Sequence, residues 1–216
     1  MKSYPTLLNH DKPIDYHTLI DKQEVLVIDD FYRDLSWFEG MKLENTQDSL
    51  TTEKIFYPNK DFRHELLRQV SQLFPGAIYP TDAGWIRSTI KSDVPIPINL
   101  IHSDHPYLVL SVCLSSQPDE EKTPQGTTFY RHKDLGFKSL FNHRMSGHFK
   151  NIFSHHRNNK LMWEPWFTYE FKKNRAIIYS GSLLHNMPLP GFGSELSNSR
   201  LMQIFNFRIP QKGFHD

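Results

Sequence analysis

Residues 200–207 read Arg200-Leu-Met-Gln-Ile-Phe-Asn-Phe207, and residues 175–179 read Arg175-Ala-Ile-Ile-Tyr179. Both are short runs rich in apolar, β-branched and aromatic residues, which suit a pleated, buried surface. In the first run Arg200, Met202, Ile204 and Asn206 share one face, because successive strand side chains alternate. Similar segments recur from residue 84 onward, at 84–91, 98–104, 107–115, 126–132, 175–182 and 200–208. Turn signals separate most of them: Pro95, Pro97, Pro106, Pro118, Pro124-Gln-Gly126 and the run from Pro188 to Gly193. Short strands punctuated in this way predict a sandwich or barrel.

Upstream the pattern changes. Residues 24–32, Glu24-Val-Leu-Val-Ile-Asp-Asp-Phe-Tyr32, read as a buried strand ending in a turn, and 35–45 as a short helix. Between Asp61 and Phe74, Phe62, Leu66, Val70 and Phe74 recur every four residues, with Leu67 and Leu73 beside them. That period predicts an amphipathic helix, with Asp61 as its N-cap and Pro75-Gly76 as its stop. A helical layer followed by a β-rich half predicts a mostly-β fold with supporting helices. The expectation is a single domain over 1–216: a mixed α/β support at 1–83 and a β core at 84–210, with a helical basic insert at 135–163.

That insert holds no acidic residue but carries Lys138, Arg144, Lys150, Arg157 and Lys160, with His143, His148, His155 and His156. Phe137, Phe141, Met145 and Phe149 are spaced by four, which predicts one or two short helices. Two roles are open to it: a packed insert with a solvated basic face, or a wall over a site that receives an anionic substrate.

The chain has 216 residues, long enough to bury a substantial core. Its 25 Lys+Arg against 24 Asp+Glu give a formal net charge of +1, so bulk attraction to nucleic acid or anionic lipid is not expected. The single cysteine, Cys113, excludes a disulfide framework; in its apolar strand it reads as an inert core thiol. No run approaches 18 apolar residues and no apolar leader opens the sequence, so a soluble, cytoplasmic protein is expected.

The chemistry concentrates at Ile101-His102-Ser103-Asp104. On a strand, residues two apart face the same way, so His102 and Asp104 offer an imidazole nitrogen and a carboxylate oxygen side by side. A second histidine would complete the two-His-one-carboxylate face that holds non-haem Fe(II). His185 supplies one, a few residues beyond the apolar strand Arg175-Ala-Ile-Ile-Tyr179. An inward-facing Arg200 would need an anionic partner, such as the terminal carboxylate of a bound dicarboxylate.

Four features in order now stand together: His102-x-Asp104, Gly126-Thr-Thr-Phe-Tyr130, Asn174-Arg-Ala-Ile-Ile-Tyr-Ser-Gly-Ser-Leu-Leu-His185, and Arg200 followed by alternating apolar residues. In that order they resemble the Fe(II)/2-oxoglutarate-dependent dioxygenases, most closely their prolyl-hydroxylase-like branch. The likeness spans roughly residues 98–208. It implies a double-stranded β-helix, a jelly-roll or cupin-like core of two antiparallel sheets with helices on one of them. It implies His102, Asp104 and His185 as iron ligands and Arg200 as the residue that binds the distal carboxylate of 2-oxoglutarate. Family members often have a hydroxyl residue that shares this carboxylate; Ser111 and Cys113 lie near the expected place, Thr128, Tyr130 and Tyr179 are other donors, and Ser111 and Tyr179 are the two candidates carried forward. Arg208 could stand in for Arg200, but it lies at the strand end. Gln125-Gly126 replaces the more usual glycine pair, and the basic insert is no part of the family's common core.

The activity implied is hydroxylation of an unactivated C–H bond, using Fe(II), 2-oxoglutarate and O2 and yielding succinate and CO2. In related halogenating enzymes a small residue stands in place of the acid; Asp104 argues for hydroxylation. The partner expected is a small polar, amino-acid-like molecule or a peptide carrying an anionic group, with Tyr130, His132 and Asn206 as substrate contacts. The alternatives are a cupin-like non-redox metal- or ligand-binding protein, and an interaction module that grips an anionic polymer through the insert. Trp163 and Trp166 read as core or edge residues, and His10, His17, His64 and His215 as surface ones.

Overall fold

The computed structural model describes residues 6–39, 44–47, 54–80, 83–90, 101–104, 107–117, 126–140, 147–187 and 191–208. Along the chain come α1 (Tyr16–Lys22), β1 (Val25–Ile28), α2 (Ser36–Glu39), β2 (Glu44–Gln47), β3 (Lys54–Tyr57), α3 (Lys60–Leu73), β4 (Trp85–Thr89) and β5 (Tyr107–Cys113). There follow β6 (Gly126–His132), α4 (Gly147–His156), β7 (Trp163–Glu170), β8 (Ala176–Ser180), β9 (His185–Asn186) and β10 (Arg200–Arg208). The strands form a seven-stranded sheet, β1-β8-β5-β10-β4-β3-β2, and a three-stranded sheet, β7-β6-β9. Every pairing is antiparallel. A bridge from His102 to His185 extends the small sheet beyond β9. After β4 the chain therefore alternates between sheets: His102 in the small one, β5 in the large, β6 and β7 in the small, β8 in the large, β9 in the small, β10 in the large. That winding is the double-stranded β-helix core.

Alternation along each strand decides the layers. On β10, Leu201, Phe205 and Phe207 pack with Leu108 and Leu110 of β5 and with Leu66, Val70 and Leu73 of α3. The alternate residues, Met202 and Ile204, pack instead with Val109 and Cys113 of β5, Ile177 and Tyr179 of β8, and Phe129 of β6. The large sheet is thus buried on both faces, by helices on one side and by the small sheet on the other. Each large apolar side chain so enclosed stabilises the fold by about 1.5–3 kcal/mol. Two polar residues join the helix-side core: the Tyr32 hydroxyl hydrogen-bonds Gln203 Oε1 at 2.6 Å, and Gln203 Nε2 donates to the Gly84 carbonyl at 3.2 Å.

Several boundaries differ from expectation. The helix expected at 61–74 begins one residue earlier, at Lys60. Its N-cap is Asn59, not Asp61: the Asn59 side chain accepts from the Phe62 amide at 3.0 Å. The helix expected over 35–45 spans only Ser36–Glu39, and Glu44–Gln47 is strand. Asn45 and Thr46 are weak helix formers, and β3 offers them a pairing edge. The strand at 24–32 stops at Ile28, and Asp30 takes a left-handed φ of 52° that turns the chain. The helical period drawn through Phe137 and Phe149 is realised only from Gly147; Phe137 instead stacks on His132, with ring centroids 5.2 Å apart. Phe141, Met145, His143 and Arg144 lie outside the described residues. Four strands were not anticipated by their sequence: β2, β3, β9 and β7. The last begins inside the segment read as insert and carries Pro165 at a register shift against β6.

Gly126 occupies a position that only glycine fits. A Cβ there would come within 1.5 Å of the Tyr169 carbonyl oxygen of the paired strand. Among the described residues no helix is long and apolar enough to cross a membrane.

Candidate metal centre

Backbone pairing brings the three expected ligands together. The His102 amide donates to the His185 carbonyl at 2.9 Å, and the His185 amide returns the bond to the His102 carbonyl at 3.0 Å. Two residues on, the Asp104 amide donates to the Gly181 carbonyl at 2.6 Å, which ties the acid to the turn after β8. The ligand atoms of His102, Asp104 and His185 consequently all lie within 4.8 Å of one another. Nε2 of His185 is 3.3 Å from Asp104 Oδ2, and Nε2 of His102 is 3.8 Å from Asp104 Oδ1. The His102 and His185 ring centroids are 4.4 Å apart.

The cluster is anchored on one side and open on the other. The His185 side chain is 5% exposed, whereas those of His102 and Asp104 are 35% and 36% exposed. Nδ1 of His185 donates to the Leu183 carbonyl at 2.8 Å, which fixes the orientation of the ring and turns its Nε2 toward the acid. The Tyr179 hydroxyl lies 3.3 Å from that same Nε2. Burial pushes the Asp104 carboxyl up, but the hydrogen bond from His185 and the charges of His185, His102 and Arg87 together hold it below the usual carboxylate value. An ionised carboxylate beside two imidazoles is a donor set for a divalent first-row metal.

A cavity of about 130 Å³ opens beside the cluster. Its walls include His102, Asp104 and His185 with Ser111, Tyr179, Arg200 and Asn206. Ser111, Tyr179, Arg200 and Asn206 thus all line one cavity. Arg200 is 1% exposed, with its guanidinium carbon 5.1 Å from the centroid of the Phe171 ring. Arg208, by contrast, is exposed at the strand end.

Tyr130 and His132 do not line this cavity. Phe129 fills the inner core of the sandwich, and on a strand its even-numbered neighbours must face the opposite way. Tyr130 accordingly packs with Trp163, Leu184 and Ile101. His132 is enclosed by Phe137 and Trp163, and its Nε2 is 2.9 Å from His156 Nδ1. The same alternation removes Thr128, whose hydroxyl meets that of Thr168 at 3.2 Å; Thr127 lines the cavity in its place. Trp163 and Cys113 are core residues, 3% and 0% exposed.

The sequence reading missed Arg87. It stands on β4 opposite Met202, on the face away from the buried Ile86, and it lines the cavity with Trp85. The available signal was the alternation Trp85-Ile-Arg-Ser-Thr89, which sets Trp85 and Arg87 on one face.

No protein-family model matches the chain. No curated protein matches it either. Among solved structures, the ribosomal oxygenase YcfD of Escherichia coli matches at 11% sequence identity with a TM-score of 0.42, over 93% of this chain and 53% of that one. The chain spans about half the length of that protein.

Proposed function

We propose that the protein is an Fe(II)/2-oxoglutarate-dependent oxygenase that hydroxylates a C–H bond of an amino-acid-like or peptide substrate. The observation that supports this most is the convergence of His102, Asp104 and His185 within 4.8 Å, beside a cavity that Arg200 also lines. The donor set fits the metal: two imidazoles and one carboxylate grip an ion from one side and leave the cavity side open. The closer likeness to the prolyl-hydroxylase-like branch rests on sequence motifs alone. The chain's one cysteine is consistent with a cytoplasmic protein.

Bound at this site, Fe(II) and 2-oxoglutarate supply O2 activation, in which the 2-oxo acid becomes succinate and CO2 and one oxygen atom enters the substrate. The chain's own residues prepare for it. His102 and His185 present imidazole nitrogens, and Asp104 supplies a carboxylate oxygen. Arg200, held in a buried setting, takes the remote carboxylate through its planar fork. Ser111 adds a hydroxyl to the same wall. The Tyr179 ring packs edge-on against His185 with centroids 5.0 Å apart, so it steadies that ligand and excludes water from its inner side.

The test is anaerobic. Fe(II) followed by 2-oxoglutarate should give a weak visible charge-transfer band that saturates at one equivalent. A folded protein that gives no band contradicts the proposal. Tight zinc with no response to 2-oxoglutarate would favour the cupin-like non-redox alternative.

A further inference from the structure

Two arginines face the cavity, and a co-substrate needs only one of them. Arg87 is half-buried on β4 and sits two residues from Trp85 on the same face. Among the described residues, Asp104 is the one acidic residue in the cavity wall, against Arg87 and Arg200. A divalent metal with this carboxylate and two guanidinium groups leaves three positive charges. A bound dicarboxylate removes two of them. In a partly desolvated cavity the remaining charge favours a further anion. Arg87 pairs with Met202, two residues nearer than Arg200 to Asn206, the β10 position level with Val109 and Tyr179, so it lies nearer the metal end of the cavity than Arg200 does.

We propose that Arg87 binds a carboxylate of the primary substrate, with Trp85 against its carbon skeleton, so that the enzyme acts on an organic acid. This rests on the oxygenase reading above. A guanidinium fork suits a carboxylate by two parallel hydrogen bonds, and the indole beside it offers an apolar surface for the adjoining carbons. The acid enters by its charged end while the rest of it remains near the mouth.

The probe is acetate, with acetamide as its neutral counterpart. The protein is loaded with Mn(II) and saturating 2-oxoglutarate, so that no turnover occurs. Paramagnetic broadening of the acetate methyl proton line is then followed as acetate is titrated, with His185→Ala as the blank. Saturable broadening is expected with acetate and not with acetamide. Arg87→Met should weaken the acetate effect about tenfold or more, the loss of one charge-assisted pair. Arg87→Lys should retain part of it, and 2-oxoglutarate should still bind both variants. Equal broadening in wild type and Arg87→Met overturns the proposal. So does loss of 2-oxoglutarate binding in folded Arg87→Lys or Arg87→Met, because Arg87 would then serve the co-substrate. If Mn(II) and 2-oxoglutarate do not bind the wild type at all, the oxygenase reading fails too. If they bind and acetate does not, only the organic-acid inference fails.

Discussion

His102 and His185 are 83 residues apart in the chain, yet their backbones exchange hydrogen bonds in both directions, at 2.9 and 3.0 Å. Two imidazoles are thereby set side by side by main-chain pairing rather than by the metal they would hold. Pairing of this kind limits the ordering entropy lost when both imidazoles grip one ion, which favours tight binding.

Arg200 should govern co-substrate affinity. Arg200→Met is expected to raise the half-saturating 2-oxoglutarate concentration about tenfold or more, as the loss of a charged hydrogen-bond partner requires. Anaerobic titration of the visible band measures it, with circular dichroism to verify the fold. An unchanged midpoint would remove Arg200 from the co-substrate site.

Gly126→Ala should damage the small sheet. A methyl placed 1.5 Å from the Tyr169 carbonyl forces β6 and β7 apart. The expected loss is at least about 3 kcal/mol, read from denaturant unfolding. A stability within about 0.5 kcal/mol of wild type would mean that the two strands are not paired as described.

Asp29 joins the end of β1 to the start of β8. Arg175 and Lys172 hydrogen-bond its carboxylate and hold it far below the usual carboxylate range. A depressed folded-state value stabilises the fold above the unfolded value near 3.8, and that contribution fades as pH falls below it. Asp29 is 40% exposed, so solvent screening limits the effect to below about 1 kcal/mol. Thermal melts from pH 5 to pH 2 should fall less steeply for Asp29→Asn than for wild type; parallel curves would show that the pair contributes nothing.

Cys113 should be silent in the native protein. Burial raises its thiol to about 11, and its Sγ sits 2.5 Å from the Tyr169 hydroxyl. At pH 8 a colorimetric thiol reagent should titrate none of it in the folded state and the full single thiol in denaturant. Rapid native labelling would contradict the packing of that core.

Much of this was legible because strands buried on both faces read as short runs dense in apolar, β-branched and aromatic residues. Gly126–His132 and Arg200–Arg208 coincide with the expected segments for that reason. Trp163–Glu170 was not legible: Pro165 argues against a strand, and only its partner β6 absorbs the proline at an irregularity. The ligands His102 and Asp104 show in the sequence by their spacing, and His185 by its place after an apolar strand. Tyr130 and His132 share the right strand but the wrong face, a distinction set by Phe129 in the core. Arg87 carries no motif: alternation puts it on a face with Trp85, and the pairing of β4 with β10 is what turns that face to the cavity.

The central claim is that His102, Asp104 and His185 hold one metal ion. Titration of Mn(II) followed by loss of its free-ion paramagnetic resonance signal tests it directly. The wild type should take up one equivalent, and folded His185→Ala should weaken that binding at least about tenfold. A wild type with no saturable Mn(II) site, or a His185→Ala variant that binds as tightly, would contradict it.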